Sequence, residues 1–388
     1  MPQNTKKPQL RFKGFTDDWE QRKTKELCYI STGKSNTQDK VCDGKYPFYV
    51  RSPIIERSNR YLFDEEAVLT VGDGVGTGKV YHYVNGKYDL HQRVYRMFGF
   101  SEDILARYFY YYFSNHFYDR VIAMTAKTSV DSVRYEMISE MEIYLPNKQE
   151  QKLISIYFEY IENLITLHQR KLEKLKNVKK SMLEKMFPKN GSNVPEIRFK
   201  GFTDAWEQRK LGEVVNVYDG VHQTPEYKDS GIMFLSVEDI NTLKSEKYIS
   251  EEAFQRDYKI YPQKGDILMT RIGDVGTPNV VECIEKVAFY VSLALLKPTK
   301  INSYFLCNAI QSPFFRKGLK ERTLVTAIPQ KINKDEISKI DVIAPILSKE
   351  QENIGEYFRN LNNLITLHQR KLEKLQNIKK ACLEKMFV

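Results

Sequence analysis

A block of 24 residues occurs twice in this chain, and this duplication constrains the architecture more than any other feature. Leu164–Phe187 reads LITLHQRKLEKLKNVKKSMLEKMF, and Leu364–Phe387 reads LITLHQRKLEKLQNIKKACLEKMF, with identity at 20 of 24 positions. As an α-helix each block would span about 36 Å, because the helix rises 1.5 Å per residue. Repetition at this length predicts a chain built from two copies of one structural unit.

A second, shorter repeat lies upstream of each helical block. Leu10–Leu27 (LRFKGFTDDWEQRKTKEL) returns at Ile197–Val214 (IRFKGFTDAWEQRKLGEV), with identity at 13 of 18 positions. The short repeats are 187 residues apart and the helical repeats 200, so the second unit is predicted to hold 13 extra residues. We place all of them before a glycine-rich turn, because Thr70–Thr77 and Thr270–Thr277 are also 200 residues apart.

The stretches between the repeated blocks diverge and mix strand-like with helix-like runs. Each ends in a strand-like run and a proline, Pro146 or Pro345, followed by a Glu-Gln pair and the helix. The predicted fold is α+β: two tandem α/β domains separated by a pair of long antiparallel coiled-coil helices, with internal pseudo-two-fold symmetry. The predicted segments are a first domain at 10–146, a central helix at 147–187, a linker at 188–196, a second domain at 197–345 and a C-terminal helix at 346–388.

Both helices carry an apolar seam with the three- and four-residue alternation of a coiled coil. In the first copy the seam is Ile161, Ile165, His168, Leu172, Leu175, Met182 and Met186. In the second copy it is Leu361, Ile365, His368, Leu372, Leu375, Cys382 and Met386. Two such helices in one chain pack most simply against each other. The N-terminal block is then predicted to lie beside the C-terminal helix, as its copy lies beside the first helix.

Composition predicts a cytoplasmic protein. No apolar run approaches the roughly 20 residues that cross a bilayer, and the N-terminus has no apolar signal region. The five cysteines lie apart without CxxC spacing, which is typical of reduced thiols.

The net charge of +10 invites a nucleic-acid interpretation, but its distribution leaves the question open. The two helical blocks carry nine of these ten charges. A lysine-rich helix is often simply a solvated face, so charge alone does not separate the two interpretations.

No catalytic or metal-binding constellation is predicted in this chain. The glycine-rich Gly72–Lys79 fails as a P-loop, because Asp73 stands where the first glycine belongs and Val80 replaces the Ser/Thr that binds magnesium. A hairpin turn is predicted there. The six histidines form no HExxH pair, and His168 and His368 are predicted to set helix register. The tetrad of an amino-methyltransferase is absent from the sequence.

Polar and basic residues near turns are the candidates for reading DNA base edges. In the first domain the candidates are Thr77, Lys79, Gln92, Arg93 and Arg96. In the second domain they are His222, Gln223, Arg271, Thr277 and Asn279. Most aromatic residues, such as those of the ARYFYYYF run, are predicted to belong to the core.

Together these features resemble the specificity subunit of type I restriction-modification systems. The resemblance spans nearly the whole chain and depends on Trp19 and Trp206, on Gly265–Leu268, on the Gly-Thr turns and on the helix pair. One departure is that the first domain has Thr-Lys where the family has the Leu-Gly found at Leu211. The resemblance implies a non-catalytic subunit with two target recognition domains, each reading one half of a bipartite, asymmetric site in double-stranded DNA.

The resemblance also implies partners. The paired helices would act as a spacer and as two equivalent docking places for two modification (adenine methyltransferase) subunits, which restriction/translocase subunits would join. No cofactor is expected in this chain, since S-adenosylmethionine, ATP and Mg would belong to the partner subunits. A helix pair of about 36 Å would set the two readers about one turn of B-DNA apart, ~34–36 Å.

Two alternatives compete with this interpretation. One is a restriction-modification enzyme in its own right. The absence of the amino-methyltransferase tetrad and of a P-loop argues against it. The other is a DNA-independent coiled-coil adaptor protein.

Overall fold

The computed structural model describes residues 7–125, 132–189, 191–283 and 285–388. The chain forms two compact units, Met1–Gln169 with Arg370–Val388 (unit 1) and Arg170–Gln369 (unit 2). Each long helix therefore contributes one part to each unit. The predicted segment boundaries follow the sequence repeats instead, and they stay a prediction.

In the residues that the structure describes, unit 1 combines eight strands with a long aromatic helix. Strands β1 to β8 are Glu20–Lys23, Tyr29–Thr32, Tyr46–Tyr49, Ile55–Ser58, Phe63–Val71, Tyr81–Leu90, Val94–Phe98 and Glu142–Leu145. Helices α1 to α4 are Thr24–Leu27, Ala106–Ala123, Tyr135–Ser139 and Lys148–Lys185, with a 3-10 turn at Thr37–Asp39.

A six-stranded sheet in the order β2-β7-β5-β6-β3-β4 forms the body of unit 1, and β1 pairs with β8 separately. All neighbours in the large sheet are antiparallel except β3 and β6. Helix α2 contributes most of its aromatic side chains to the core, where Tyr108, Phe109, Phe113 and Phe117 are buried. The prediction that the ARYFYYYF run belongs to the core is confirmed.

Unit 2 is built from smaller sheets. Strands β9 to β17 are Glu207–Lys210, Val215–Asp219, Ile232–Leu235, Tyr248–Ile249, Ile267–Ile272, Asp274–Val280, Val287–Phe289, Leu293–Pro298 and Asp341–Ala344. Helices α5 to α10 are Leu211–Val214, Glu251–Asp257, Ser303–Ala309, Pro313–Arg322, Lys334–Ser338 and Ser348–Met386, with a 3-10 turn at Val237–Asp239. The sheets have the orders β10-β16-β13-β14, β12-β11-β15 and β17-β9.

In each unit the short repeated block lies against the end of a long helix. Leu10 N donates to Lys385 O at 2.8 Å in unit 1, and Ile197 N donates to Lys185 O at 2.9 Å in unit 2. The N-terminal block is thus beside the C-terminal helix, as predicted.

The long helices pair antiparallel within each unit. In unit 1 the beginning of α4 meets the end of α10, where the Phe158 and Phe387 rings stack at 5.8 Å. In unit 2 the end of α4 meets the beginning of α10, where Phe187 and Phe358 lie 6.0 Å apart. The predicted seam residues are all buried or half-buried, which agrees with the coiled-coil pattern.

The glutamine of each Glu-Gln pair connects a long helix to its unit by hydrogen bonds. Gln151 Oε1 accepts from Leu105 N at 2.9 Å and so caps α2, while Gln351 Oε1 accepts from Asn302 N at 2.9 Å and caps α7. Both glutamines also donate to the carbonyl of the proline that precedes their helix. Side-chain acceptors of this kind satisfy backbone donors that a helix start leaves open.

The predicted register of the glycine-rich turns is wrong by one residue. Gly72 N donates to Arg93 O at 2.9 Å, and the matching bond in unit 2 runs from Arg271 N to Ser292 O at 2.9 Å. Gly72 and Arg271 are thus equivalent and 199 residues apart, not 200. Only 12 extra residues precede the turn, and one more lies between the proline and the Glu-Gln pair of α10.

The predicted hairpin turn is confirmed in unit 1, where residues 72–80 join β5 to β6. In unit 2 the turn shrinks to Gly273, which has φ +80 and joins β13 directly to β14. In the part of the chain that the structure describes, no helix is long and apolar enough to cross a membrane.

Candidate nucleic-acid interface

Four loops of unit 1 meet at one edge of the large sheet. They follow β2 and β3, join β5 to β6, and join β6 to β7. Backbone contacts hold them together: His91 N donates to Tyr49 O at 3.0 Å, and Ser35 and His91 form an isolated bridge. Gly33 permits this closeness, because a Cβ at its position would lie 2.1 Å from Leu90 O.

This edge exposes a basic and polar group of side chains, which we term the loop edge of unit 1: Lys34, Asn36, Arg51, Gln92 and Arg93. Gln92 Nε2 donates to Asn36 Oδ1 at 2.6 Å, which orders both amides. Arg51 and Arg93 share one carboxylate, since each guanidinium lies 3.9 Å from Asp73 Oδ2.

The charge balance of the loop edge is positive. Two guanidinium groups face a single carboxylate, and the Arg51 and Arg93 side chains are 45% and 62% exposed. Exposed guanidinium and amide groups bind phosphates and base edges. The loop edge therefore presents the chemical groups that such contacts use.

The structure separates the predicted residues of unit 1 into two groups. Gln92 and Arg93 lie in the loop edge, and Lys79 is exposed with Nζ 4.7 Å from the centre of the Tyr118 ring. Thr77 is buried and donates to Gly74 O at 2.5 Å, which closes the turn.

Arg96 belongs to the sheet. Its guanidinium carbon lies 3.8 and 3.7 Å from the ring centres of Phe63 and Phe98, and it forms an ion pair with Glu65. Only 12% of the side chain is exposed, so Arg96 links β5 to β7 instead of facing a ligand.

The candidates of unit 2 divide in the same way. His222 and Gln223 are exposed in the loop that follows β10. Arg271 is buried and forms an ion pair with Asp219, and burial lowers the pKa of its guanidinium. Asn279 Nδ2 donates to Ile240 O at 2.8 Å and holds the neighbouring loop.

Thr277 lies within β14, where its backbone N donates to Thr270 Oγ1 at 2.8 Å. It therefore contributes a strand contact. The structure brings His222 and Gln223 together, and it gives Arg271, Thr277 and Asn279 internal partners.

Lys34, Asn36 and Arg51 were not among the predicted residues. The repeat itself carried a signal for Asn36, because the 187-residue offset matches it to Gln223. No local pattern marks Arg51, which joins the edge only because β3 pairs with β6.

An apolar loop lies beside the short turn of unit 2. Gly273 N donates to Gln330 O at 2.9 Å, which places residues 323–331 against the turn. Val325 and Ile328 are 65% and 101% exposed there. The loop therefore places two exposed apolar side chains next to the candidate interface.

The described residues show no group of three or more His, Cys, Asp or Glu side chains that could hold a metal ion. Burial raises the pKa of the Cys28 and Cys307 thiols to about 12. Both therefore stay protonated near neutral pH, a state in which cysteine is a poor nucleophile.

A family model described as type I restriction modification DNA specificity domain matches residues 16–177 and 203–377. The chain belongs to this family. Each match contains one divergent domain and most of the long helix that follows it. The two halves are thus two copies of the family's domain, which confirms the predicted tandem architecture.

Relatives and a solved structure agree over almost the full length. The chain is 22% identical over 390 residues to the type I restriction enzyme MjaVIII specificity subunit of Methanocaldococcus jannaschii, covering 94% of this chain and 91% of that protein. It is 20% identical over 415 residues to the EcoDI specificity subunit of Escherichia coli, covering 95% and 88%. The S subunit of a type I system from M. genitalium has the same fold, with a TM-score of 0.74, 16% identity and coverage of 98% and 99%.

Proposed function

We propose that this chain is the DNA-specificity subunit of a type I restriction-modification complex, with one target recognition domain reading each half of a bipartite site. The observation that carries the proposal is the match of the DNA-specificity family model to both halves of the chain.

The two loop surfaces support a site with two different halves. Unit 1 exposes two arginines, a lysine and two amides, whereas unit 2 exposes His222 and Gln223 and, at another loop, two apolar side chains. Because base edges are distinguished by donor and acceptor patterns, different side chains at these edges read different bases. The recognised sequence is therefore asymmetric.

The helices supply the docking places for the modification subunits. Leu167 in unit 1 and its repeat equivalent Leu367 in unit 2 are 57% and 45% exposed, although they belong to the strongly repeated block. An exposed leucine at both equivalent positions suits two copies of one partner. Methyl transfer to adenine, ATP hydrolysis and their cofactors S-adenosylmethionine, ATP and Mg belong to the partner subunits, and this chain itself is non-catalytic.

Selection of bound duplexes from a random pool tests the proposal, with the chain alone and with its modification subunits. We expect enrichment of one motif with two short defined halves and a fixed spacer. An unchanged pool in both conditions would favour the adaptor alternative. Methyl transfer by the chain alone would instead identify it as an enzyme.

A further inference from the structure

Unit 2 contains a cavity of about 530 Å³ between the ends of its two long-helix segments, β14 and the loop at 241–244. Its walls are mostly polar and include Lys179, Asn308, Arg359 and Asn362. Pockets that bind small molecules have volumes of about 300–1,000 Å³. This cavity is therefore large enough for a small ligand.

The equivalent residues of unit 1 form a polar cluster whose charges are paired with one another. Lys379, which the repeat matches to Lys179, has its Nζ 2.7 Å from Glu162 Oε1. Tyr111 Oη donates to Glu162 Oε2 at 2.8 Å. The lysine of unit 1 is thus neutralised by a carboxylate that a phenol also holds.

Unit 2 has lost both of these partners. Asn362 stands at the position of Glu162, since the helical repeats are 200 residues apart. Asn308 stands at the position of Tyr111, because Leu105 and Asn302 make the same capping bonds and are 197 residues apart. Two amides have replaced a carboxylate and a phenol, and the smaller side chains leave open space.

Lys179 is left with its charge uncompensated. Among the residues that the structure describes, no carboxylate lies within ion-pair distance of it. Burial lowers the pKa of its ammonium, although the nearby Cys307 acts in the opposite direction. Arg359 and Glu282 also line the cavity, but they pair with each other at 3.5 Å, which leaves Lys179 as the cation for a ligand.

Asn308 contributes an unused acceptor. It is 3% exposed, and its Nδ2 donates to Tyr304 O at 2.7 Å, which fixes the orientation of the amide. Its Oδ1 is buried and has no hydrogen-bond partner within the described structure. A buried acceptor without a donor is unfavourable, so a donor at this position would stabilise the protein.

We propose that this cavity binds the phosphate group of a small phosphate ester, with Lys179 donating to the phosphate oxygens and Asn308 Oδ1 accepting from the phosphate hydroxyl. A singly protonated phosphate both accepts and donates hydrogen bonds. Carboxylate and sulfate groups only accept at neutral pH, so they satisfy Lys179 and leave Asn308 unpaired. The rest of the cavity, which includes Asn241, Gln311 and Asn363, holds the polar remainder of the ester.

Calorimetric titration of the full chain with inorganic phosphate tests the proposal, with sulfate as the matched anion. We expect phosphate to bind at least tenfold more tightly than sulfate at pH 6.5. Asn362→Glu should reduce phosphate affinity at least tenfold, because it supplies Lys179 with the carboxylate that unit 1 has. Asn360→Glu, which adds the same charge at an exposed position of the same helix, should leave the affinity unchanged.

Asn362→Glu should also remain folded, with a melting temperature equal to or above that of the unmodified chain. Absence of phosphate binding, equal binding of sulfate, or unchanged phosphate affinity in Asn362→Glu would each overturn the proposal. A random-sequence duplex should not displace the phosphate. Displacement by the duplex would identify the DNA backbone as the source of the phosphate and overturn the small-molecule assignment.

Discussion

Units 1 and 2 have the same internal scaffold and different surfaces. The Phe12 and Tyr157 rings lie 6.1 Å apart in unit 1, and their equivalents Phe199 and Tyr357 lie 6.3 Å apart in unit 2. The loop edges and the polar cluster at the long helices, by contrast, share few side chains. The difference indicates that duplication has retained the residues that attach a helix to a domain, while the exposed loops and this polar cluster have changed.

The largest expected effect concerns the shared scaffold. Arg11 and Glu150 form a bidentate ion pair at 2.7 and 2.8 Å, and Arg198 and Glu350 repeat it at 2.6 and 2.8 Å, with both carboxylates essentially inaccessible. Glu150→Gln and Glu350→Gln should each lower the free energy of unfolding of their own unit by about 3 kcal/mol, because a half-buried guanidinium loses its counter-charge.

Chemical denaturation combined with hydrogen exchange would assign each loss to a unit. Glu352→Gln is a suitable control, since the Lys349–Glu352 pair is exposed and its loss should be worth less than about 1 kcal/mol. Loss at one of the two sites but not at the other would contradict the shared scaffold.

A second prediction contrasts the two equivalent lysines. Lys379→Met should destabilise unit 1 by about 1.5–3 kcal/mol, because it breaks a charged hydrogen bond to the partly buried Glu162. Lys179→Met should be neutral or stabilising in unit 2, because its ammonium is desolvated without a carboxylate. Equal destabilisation by the two substitutions in urea unfolding would show that the units do not differ in this way.

The same contrast predicts a pH dependence. Because the pKa of Lys179 is lowered in the folded state, the unfolded chain binds more protons between that pKa and the unfolded value. The free energy of unfolding of unit 2 should therefore rise with pH across this alkaline window, and Lys179→Met should remove the rise. A rise that persists in the variant would assign it to another group.

A third prediction separates reading from folding within unit 1. Arg93→Ala should weaken binding by about 1–3 kcal/mol for duplexes that carry the half-site of unit 1, with an unchanged circular dichroism spectrum. Arg96→Ala should instead destabilise the sheet, because its guanidinium packs on two aromatic rings and forms an ion pair with Glu65. The prediction would be wrong if Arg93→Ala bound duplexes with the half-site of unit 1 as tightly as the unmodified chain does.

The smallest expected effect concerns docking. Leu153, Ile156 and Tyr160 form an exposed apolar stripe on α4, 41%, 51% and 62% accessible, upstream of the repeated block. The repeat places Asn353, Glu356 and Asn360 at the equivalent positions of α10. Ile156→Asn should therefore weaken the binding of the modification subunit that docks on α4, by about 1 kcal/mol, and leave the binding of the other unchanged.

Native mass spectrometry at a limiting concentration of the modification subunit would detect the weaker binding, because complexes that carry only one modification subunit would accumulate. Glu356→Ile, at the position equivalent to Ile156, is the reciprocal variant and should not weaken assembly. Equal loss of both subunits in Ile156→Asn would mean that the stripe does not distinguish the docking places.

The repeats made the scaffold predictable from the sequence, because identical blocks at fixed offsets must occupy equivalent places. The loop edge was only partly predictable. Arg93 and Arg96 look alike in the sequence, and only the pairing of β7 with β5 brings Glu65 to one of them. The predicted 200-residue offset between the two glycine-rich turns was wrong by one residue. The nine-residue turn of unit 1 and the one-residue turn of unit 2 have similar local sequences, so the sequence alone aligns them incorrectly.

Exchange of the divergent first domain, about residues 29–145, for that of a relative tests the central claim most directly. Single-molecule methylome sequencing of cells that carry the exchanged subunit with its modification subunits would report the methylated motif. We predict that one half of the motif changes, while the other half and the spacer length stay the same. A motif altered in both halves, or in neither, would contradict the assignment of one reader to each half-site.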